Sequence, residues 1–549
     1  MKKIFSLTLA AVMAVVSMNV AQAQYKFGGL MMDHDGMMGN DMFTLSQVNF
    51  GFGTARSMSM AGAFTSLGAD MASMGINPAG LGMYRSNDFS FSPLMGFQSA
   101  ENSAASWGEN SQSRFAISNM GVVLNLYESS NTRLVSVSMG FGYNRIADFN
   151  YRYGYSSQSN PSVAPYRSIA DAFALMMTQS GLKPDQNGAL NYDYRDAYYW
   201  GGILAYNGFL LDAGEDELGT FYTTADRLGI NAGVGHTVNM QSRGSIGEYD
   251  ISFGLNYDNK LYLGFTWGIQ SVRWKRQMYY GEDYIYDSTP VYSDGVALAE
   301  PAQWMDYNQA VEVRGTGMNA KFGLIYRPWE SLRLGVALHT PTFYALERSY
   351  QAYMGTNFSP GGVGDTTPAL DDVGMNTWDF WSPTRLMFGA SYTFGRFAVI
   401  SADYERDWYN GMRVSNLPAG FDLTKDDYRY EFKNNFKGSN TLRLGAEIKP
   451  LPQMALRAGY GVADGALRND KKLYYNSPLT ARTTCFSAGM GVAIGAVTLD
   501  LAYQHLNNEQ TEYLLYYAMD DLGNFDTASP YYKTDFKRDY ITLSFGYKF

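Results

Sequence analysis

The chain has 549 residues and a formal net charge of -10, and charged residues make up 17% of it, below the share of about 25% usual in soluble domains. Aromatic residues reach 15%, Gly is abundant, and mean hydropathy is only -0.25. The negative charge argues against nucleic acid as a partner, and the single Cys485 excludes an intramolecular disulfide framework. Low hydropathy with many aromatic residues favours a transmembrane β-barrel, whose strands are apolar on one face only.

The N-terminus predicts an export signal over residues 1–23. Lys2 and Lys3 supply positive charge, residues 7–16 form a short apolar run, and Ala21-Gln22-Ala23 matches a cleavage site. The apolar run is too short to span a bilayer. We therefore expect cleavage after Ala23 and export from a bacterial cytoplasm.

Residues 24–86 are rich in small residues and methionine and have no steady apolar period. Such a segment makes a poor core of its own, so we expect it to pack inside something larger. Flexible thioethers suit irregular apolar gaps and varied ligands alike. Four methionines are therefore candidates either to fill gaps or to line a ligand path: Met58, Met60, Met71 and Met74.

Residues 87–549 show repeated alternation of apolar and polar residues, which is typical of β-strands. The C-terminal decapeptide is the clearest case, with Ile541, Leu543, Phe545 and Tyr547 on one face. The pattern predicts fourteen strands, which begin near residues 87, 115, 132, 242, 260, 315, 331, 384, 396, 440, 454, 484, 496 and 540.

The connections between these segments alternate between short and long. Long connections are expected near residues 98–114, 149–241, 271–314, 340–383, 406–439, 462–483 and 506–539. Short periplasmic turns and long extracellular loops are typical of outer-membrane barrels. The predicted fold class is an all-β transmembrane barrel. The lumen of a fourteen-stranded barrel is too wide for the side chains of its wall to fill, so we expect residues 24–86 to form a plug inside it.

The longest connection, residues 149–241, carries two predicted helices. The first covers residues 168–182, where Ser168 and Asp171 resemble a capping box and Gly181 a C-terminal stop. The second covers residues 194–211. This extracellular insertion either forms an access groove for a hydrophobic ligand or caps the barrel as a loop subdomain.

The run from Gly53 to Pro93, with Asn77-Pro78-Ala79 just before the first strand, resembles the N-terminal hatch of FadL/TodX-type outer-membrane transporters of long-chain fatty acids and other hydrophobic compounds. The resemblance implies a gating or structural role for Asn77, Pro78 and Ala79. It also implies passive uptake of hydrophobic molecules through a hatch rearrangement, and release to the side or to the periplasm. Gly140 and Gly142 would permit the family's inward kink in an early strand.

Several charges are expected near the periplasmic end of the lumen, either as ion pairs between plug and wall or as solvated wall residues. The predicted set is Arg333, Arg457, Glu447, Asp500, Asp70 and Arg85.

No enzyme, cofactor or metal site is predicted, because none of the four histidines lies in a recognisable catalytic or metal motif. The expected partners are a hydrophobic small molecule, outer-membrane lipids, and the assembly machinery that reads a terminal aromatic residue, here Phe549. By family resemblance the protein is expected to be a monomer in the outer membrane of a Gram-negative bacterium. The alternatives are a general diffusion porin and a haem-binding receptor.

Overall fold

The structure is a computed structural model. It describes residues 26–28, 39–46, 50–159, 168–190, 199–214, 220–223, 233–285, 292–293, 296–297, 302–358, 374–417, 424–469, 482–509, 512–520, 522 and 524–549. The predicted signal peptide, and Met31, Met32, Met37 and Met38 of the predicted plug, lie outside the described residues.

Fourteen antiparallel wall strands close into a barrel, and β1 pairs with β14 to complete the ring. The strands are β1 (Asp88–Asn102), β2 (Ser111–Glu128), β3 (Leu134–Asp148), β4 (Gly233–Tyr257), β5 (Leu261–Ile285), β6 (Ala302–Tyr326), β7 (Leu332–His339), β8 (Arg385–Phe394), β9 (Ala398–Trp408), β10 (Gly438–Leu451), β11 (Met454–Ala463), β12 (Arg482–Ile494), β13 (Val497–Glu509) and β14 (Thr534–Lys548).

Four wall strands have additional pieces, and short strands occur in the connections. Tyr151–Ser159 continues β3, Phe343–Phe358 continues β7, Gly374–Trp381 precedes β8, and Arg413–Ser415 follows β9. The short strands are Lys26–Gly28, Ala105–Ser106, Leu211–Ala213, Phe221–Thr223, Tyr292–Ser293, Val296–Ala297, Tyr513–Leu514, Tyr517–Met519, Phe525–Ala528 and Tyr531–Tyr532.

The helices are short and lie before the wall or in its connections. They are α1 (Gly39–Ser46), α2 (Ala55–Met58), α3 (Ser73–Ile76), α4 (Ile169–Ser180), α5 (Trp200–Asn207) and α6 (Lys425–Asn435), with 3-10 turns at Pro78–Met83 and Tyr409–Gly411. None of the helices within the described ranges is both long enough and apolar enough to cross a membrane.

The predicted strand count and the alternation of connections are confirmed. Short turns at residues 129–133, 258–260, 327–331, 395–397, 452–453 and 495–496 lie at one end, which we call the lower end. The opposite, upper end carries the long connections. The C-terminal alternation is also correct, because Ile541, Leu543, Phe545 and Tyr547 are exposed on the outer face.

Several strands extend further toward the upper end than predicted, so the predicted loops 271–314 and 340–383 are too long. The apolar residues change faces along β5. Near the lower end Leu263 and Phe265 face outward, whereas toward the upper end Val272 and Trp274 face inward and are buried. Arg273 and its outward neighbours are polar there. The upper wall therefore resembles a soluble protein, apolar inside and polar outside, and this reversal interrupts the pattern from which the strands were predicted.

Residues 50–84, which we call the inner segment, pack against the inward side of the wall at glycine positions. A Cβ atom at Gly264 of β5 would lie 2.1 Å from the carbonyl carbon of Pro78. At Gly335 of β7 it would lie 2.2 Å from the Thr65 oxygen, and at Gly459 of β11 2.3 Å from the Met60 carbonyl carbon. Because these strands lie on different sides of the ring, the inner segment is enclosed by the wall, backbone against backbone.

Replacing Gly264 by Ala should displace the inner segment from β5, since the added methyl group overlaps the backbone of Pro78. We expect a loss of about 1–3 kcal/mol of stability, as for other overpacked interiors. Urea unfolding of the protein in lipid vesicles measures this loss. Gly355→Ala is the matched control, because the nearest atom to its Cβ would be 3.6 Å away. Equal losses in the two variants would contradict the assignment.

Candidate functional site

The inner segment is held by polar side chains that reach inward from the wall to its backbone. Ser544 of β14 accepts from the Ala55 amide at 2.7 Å, and Ser487 of β12 accepts from the Ala61 amide at 2.9 Å. Asp403 of β9 accepts from the Thr65 amide at 2.7 Å. Thr266 of β5 and His339 of β7 donate to carbonyl groups of the segment, Met74 at 3.1 Å and Ile76 at 3.0 Å. These bonds satisfy buried backbone groups that have no strand partner.

Asn77 is the residue of the Asn-Pro-Ala triplet that joins the inner segment to the wall. Its side-chain oxygen caps the 3-10 turn by accepting from the Ala79 amide at 3.1 Å. Its side-chain nitrogen donates to the Thr65 carbonyl at 2.6 Å and to the carbonyl groups of Leu324 and Val336 at 3.3 and 3.4 Å. Asn77 therefore links two parts of the inner segment to two neighbouring strands.

Pro78 and Ala79 lie fully within this contact. Both are buried, and Pro78 occupies the first position of the 3-10 turn, where a missing amide hydrogen costs nothing. A Cβ atom at Gly323 of β6 would lie 2.0 Å from the Asn77 side-chain oxygen. The triplet therefore occupies a recess in the wall that exists because Gly264 of β5 and Gly323 of β6 have no side chains.

An ion-pair chain joins the inner segment to the wall at the lower end. Arg56 Nε lies 3.2 Å from Glu447, Glu447 lies 2.6 Å from Arg457 Nε, and Arg457 reaches Asp500 at 2.5 Å. Three of these four residues, Glu447, Arg457 and Asp500, were in the predicted set. Arg56 was not, although it is the only cation between Gly53 and Tyr84.

The other predicted charges lie elsewhere. Asp70 accepts from Thr54 at 2.8 Å and from the Ala72 amide, and burial raises the pKa of its carboxyl group while nearby Arg56 opposes the shift. Arg85 donates to exposed Asn259, not to a carboxylate. Arg333 forms no ion pair with any described residue. Asp70 and the Arg56 chain border one polar cavity of about 300 Å³ at the lower end.

The four candidate methionines all lie buried between the inner segment and the wall. Met58 contacts Ser118 and Thr542, and Met60 lies against Gly445 and Gly459. Met74 fills the space beside Gly140 and Gly142, while Met71 joins it in one buried cluster with Leu81 and Tyr84. In this conformation they fill gaps, one of the two roles expected for them.

A layer of buried charges on the wall lies above the inner segment. Lys321 pairs with Glu248 and, at 3.2 Å, with Asp250 on one side of the barrel. Farther round the wall, on β8 to β10, Glu405 pairs with Arg385 and, at 2.6 Å, with Arg443. Buried charges are tolerated when paired in this way.

The interior above this layer is lined by apolar and aromatic side chains. The large fully buried ones include Trp200, Trp274, Trp378, Tyr280, Tyr307 and Tyr350. Two arginines face into the same region: Arg276 lies over the Trp274 ring at 5.4 Å and Arg348 over the Tyr350 ring at 5.5 Å. The barrel interior therefore changes from polar to apolar toward the upper end.

Helices α4 and α5 of the long insertion pack into this apolar interior. Ser168 caps α4, but it accepts from the Ala170 amide and not from the Asp171 amide that the predicted capping box requires; Gly181 ends the helix with a φ of 67°, as predicted. Glu282 of β5 accepts from the Ile169 amide at 2.8 Å and from Ser168, so the start of α4 is fixed to the wall. The second helix, predicted over residues 194–211, covers Trp200–Asn207, and residues 194–198 lie outside the described ranges.

The wall has a seam between β2 and β3. Their backbone pairing runs from the lower end and stops at Asn119 and Asn144, within a part of the chain that is fully described. Above that point β2 pairs only with β1, and β3 only with β4. Side chains bridge the seam: Arg145 Nε donates to the Ile117 carbonyl at 3.4 Å, and Arg114 donates to Asn150. We call residues 111–118 and 145–150 the seam.

The seam lies above the two glycines proposed to form a kink. Gly140 and Gly142 are still paired with β2 and leave room for Met74. The interruption instead follows Asp148, where β3 ends before Tyr151 resumes the strand.

No family model and no curated protein matches the chain. Among solved structures, a FadL homologue of Pseudomonas aeruginosa aligns over 91% of this chain and 100% of its own, with a TM-score of 0.53 and 12% identity. The Pseudomonas putida toluene transporter TodX aligns over 91% of this chain and 99% of its own, with a TM-score of 0.48 and 13% identity. The first match defines the architecture: a closed fourteen-stranded barrel of the FadL type. The resemblance inferred from the N-terminal sequence is thus confirmed at the level of the fold.

The Arg56–Glu447 pair should contribute to holding the inner segment in place. A double-mutant cycle of Arg56→Met and Glu447→Gln, followed by urea unfolding in lipid vesicles, should give a coupling energy of about 1 kcal/mol, because both side chains are mostly buried. The cycle of Arg85→Met and Asn259→Ala is the control, and its coupling should be near zero at that exposed site. A coupling for Arg56 no larger than this control would show that the pair does not retain the segment.

Proposed function

We propose that this protein takes up hydrophobic molecules, of the long-chain fatty acid type, passively across the outer membrane of a Gram-negative bacterium. In this proposal residues 24–86 form a plug, the barrel forms the path, and a rearrangement of the plug lets the bound ligand reach its exit. No catalysis and no cofactor is required. The observation that carries the proposal is the apolar lining of the upper interior above a wall-bound inner segment.

The layered interior supports hydrophobic cargo over small polar solutes. A general diffusion porin needs a continuous aqueous lumen, whereas here apolar residues line the upper interior and the inner segment fills the lower one. A molecule that enters from the upper end would exchange water for aromatic surface, which is favourable only for an apolar solute.

Two arginines in the apolar region favour an amphipathic ligand with an acidic group. Arg276 and Arg348 are both buried beside aromatic rings. A guanidinium group binds a carboxylate through two parallel hydrogen bonds, and such bonds strengthen where water is scarce. We propose that a fatty-acid carboxylate lies near these two side chains while its chain contacts the surrounding aromatic residues.

The seam supports release toward the side. Between residues 111–118 and 145–150 the wall is closed by side chains and not by backbone hydrogen bonds. Side chains reorient far more readily than paired strands separate. An apolar ligand leaving here would pass directly into the membrane without crossing water, and the plug would then close the lower end to polar solutes.

Substitution of Asn77 tests whether residues 24–86 close the lower end of the barrel. Asn77→Ala removes the bonds that join the Thr65 region to β6 and β7, so the segment should loosen and the lower end should leak. In proteoliposomes, influx of a small sugar should rise severalfold, while wild type should take up labelled oleate and exclude the sugar. Asn131→Ala, in an exposed lower turn, is the matched control and should behave as wild type.

The opposite pattern would overturn the proposal. If the wild-type protein passes the sugar freely and does not accelerate oleate uptake, it is a diffusion porin. If Asn77→Ala leaves sugar influx unchanged while unfolding shows normal barrel stability, the triplet does not close the path.

Substitution of Arg348 tests whether the protein recognises a carboxylate on its hydrophobic ligand. Arg348→Met keeps an apolar side chain of similar length but removes the charge, so oleate should bind roughly tenfold more weakly, as expected for loss of a charge-assisted hydrogen bond. Oleyl alcohol, which has the same chain without a carboxylate, is measured in parallel by displacement of a fluorescent probe and should bind equally to both proteins. Equal weakening of both ligands would indicate a packing defect and contradict carboxylate recognition.

A further inference from the structure

The outer face of the wall contains a groove that the uptake path does not use. Two adjoining cavities of about 640 and 850 Å³ lie across β7 to β11 on the outward side. They share the lining residues Ala390, Ala402, Leu444 and Tyr460. The two cavities are therefore one continuous groove, which we call the wall groove.

The groove exists because small outward residues meet across neighbouring strands. Ala390 of β8 lies opposite Ala402 of β9, and Ala446 of β10 lies opposite Ala458 of β11. Large side chains border these alanines. They are Tyr392, Ile400, Phe388, Tyr404, Leu444 and Tyr460. The floor is thus about one side chain deeper than the surrounding surface, and almost entirely apolar.

The polar end of the groove lies at its upper side. Asn440, Asp464 and Arg482 line that end, whereas the lower part is bordered by Leu332 and Tyr392. Asp464 accepts a hydrogen bond from Asn440 at 3.1 Å, and Arg482 forms no ion pair within the described part of the chain. The upper end therefore presents an exposed guanidinium group beside an apolar trough.

The length of the groove matches one leaflet of a bilayer. From Asn440 to Ala446 a strand rises roughly 20 Å, and the usual barrel tilt reduces the vertical extent to about 15 Å. Half of a hydrocarbon core of about 30 Å is the same distance. A chain lying in the groove would span the leaflet on the side of the long connections.

We propose that the wall groove binds one acyl chain of a phosphate-bearing lipid of the outer leaflet, and that Arg482 binds its phosphate. A flexible acyl chain fits a narrow trough one side chain deep, whereas the convex wall of a second barrel does not enter it. Arginine suits a phosphate because its planar fork offers two parallel donors. The polar end lies where a lipid places its headgroup.

Native mass spectrometry of the full mature protein tests the site. The protein in mild detergent is incubated with dioleoyl phosphatidylglycerol or with lipid A, and retained lipid is counted after gentle activation. Wild type should retain one lipid molecule, and the lipid retained better identifies the source of the phosphate. Ala402→Phe fills the centre of the groove and should lower retention roughly tenfold. Ala320→Phe, at an outward position of β6, which lines neither cavity, is the matched control and should retain the lipid.

A second pair of variants tests the phosphate. Arg482→Ala should lower retention of phosphatidylglycerol but leave retention of dioleoylglycerol, which has no phosphate, unchanged. Arg413→Ala removes an exposed arginine outside the groove and should change neither. Far-UV circular dichroism before and after heating verifies that each variant is folded.

Three results would overturn the proposal. Retention by Ala402→Phe equal to that of Ala320→Phe would show that lipid binds without the groove. Equal loss of phosphatidylglycerol from Arg482→Ala and Arg413→Ala would remove the phosphate role. A wild-type dimer that becomes monomeric only in Ala402→Phe would show that the groove is a protein interface.

Discussion

The enclosure of an irregular segment by a closed sheet is the constraint on which the rest of this structure depends. Residues 50–84 have no strand partners, so their amide and carbonyl groups need partners supplied from the wall. Ser544, Ser487, Asp403 and Thr266 supply them from different strands. Glycines at Gly264, Gly335 and Gly459 allow the two backbones to approach closely enough for these bonds to form.

The same constraint divides the barrel into layers. Near the lower end the inward face is polar because it must bind the inner segment, and the outward face is apolar. Toward the upper end the faces exchange their chemistry, as in β5, where Leu263 faces outward and Trp274 inward. The paired charges around Lys321 and Glu405 lie between the two regions. This order places an apolar upper interior above a hydrogen-bonded lower closure, and our functional proposal depends on that arrangement.

Weak points in this arrangement are few and local. At the seam, side-chain contacts of Arg145 and Arg114 replace backbone pairing. At the lower end, Arg56 borders a polar cavity that is large enough to hold water. Elsewhere the segment is bound to the wall through buried groups. Movement is therefore expected to begin at side chains that can exchange one polar partner for another, since no strand has to unpair.

Much of the fold was predictable from sequence, while the candidate site was predictable only in part. Alternation over short ranges predicted the fourteen strands, and three of the six charges expected near the lower end, Glu447, Arg457 and Asp500, form ion pairs with one another. Arg56 was missed because a single arginine in a segment without periodicity gives no directional signal. Arg85, which was a candidate for an ion pair, donates to exposed Asn259. A kink was expected at Gly140 and Gly142, whereas these glycines make room for Met74, since glycine marks both kinks and close packing and sequence does not distinguish them.

The sequence by itself determined the barrel, its orientation of short and long connections, and the presence of a small-residue segment before the wall. These follow from local patterns, because side chains alternate along every strand whatever its partners. Tertiary structure alone decided where the apolar face turns inward, which glycines receive the inner segment, and that Asn77 binds carbonyl groups of Thr65, Leu324 and Val336. Those features depend on which residues meet across the ring, and strand register between distant parts of a chain leaves no mark in local sequence.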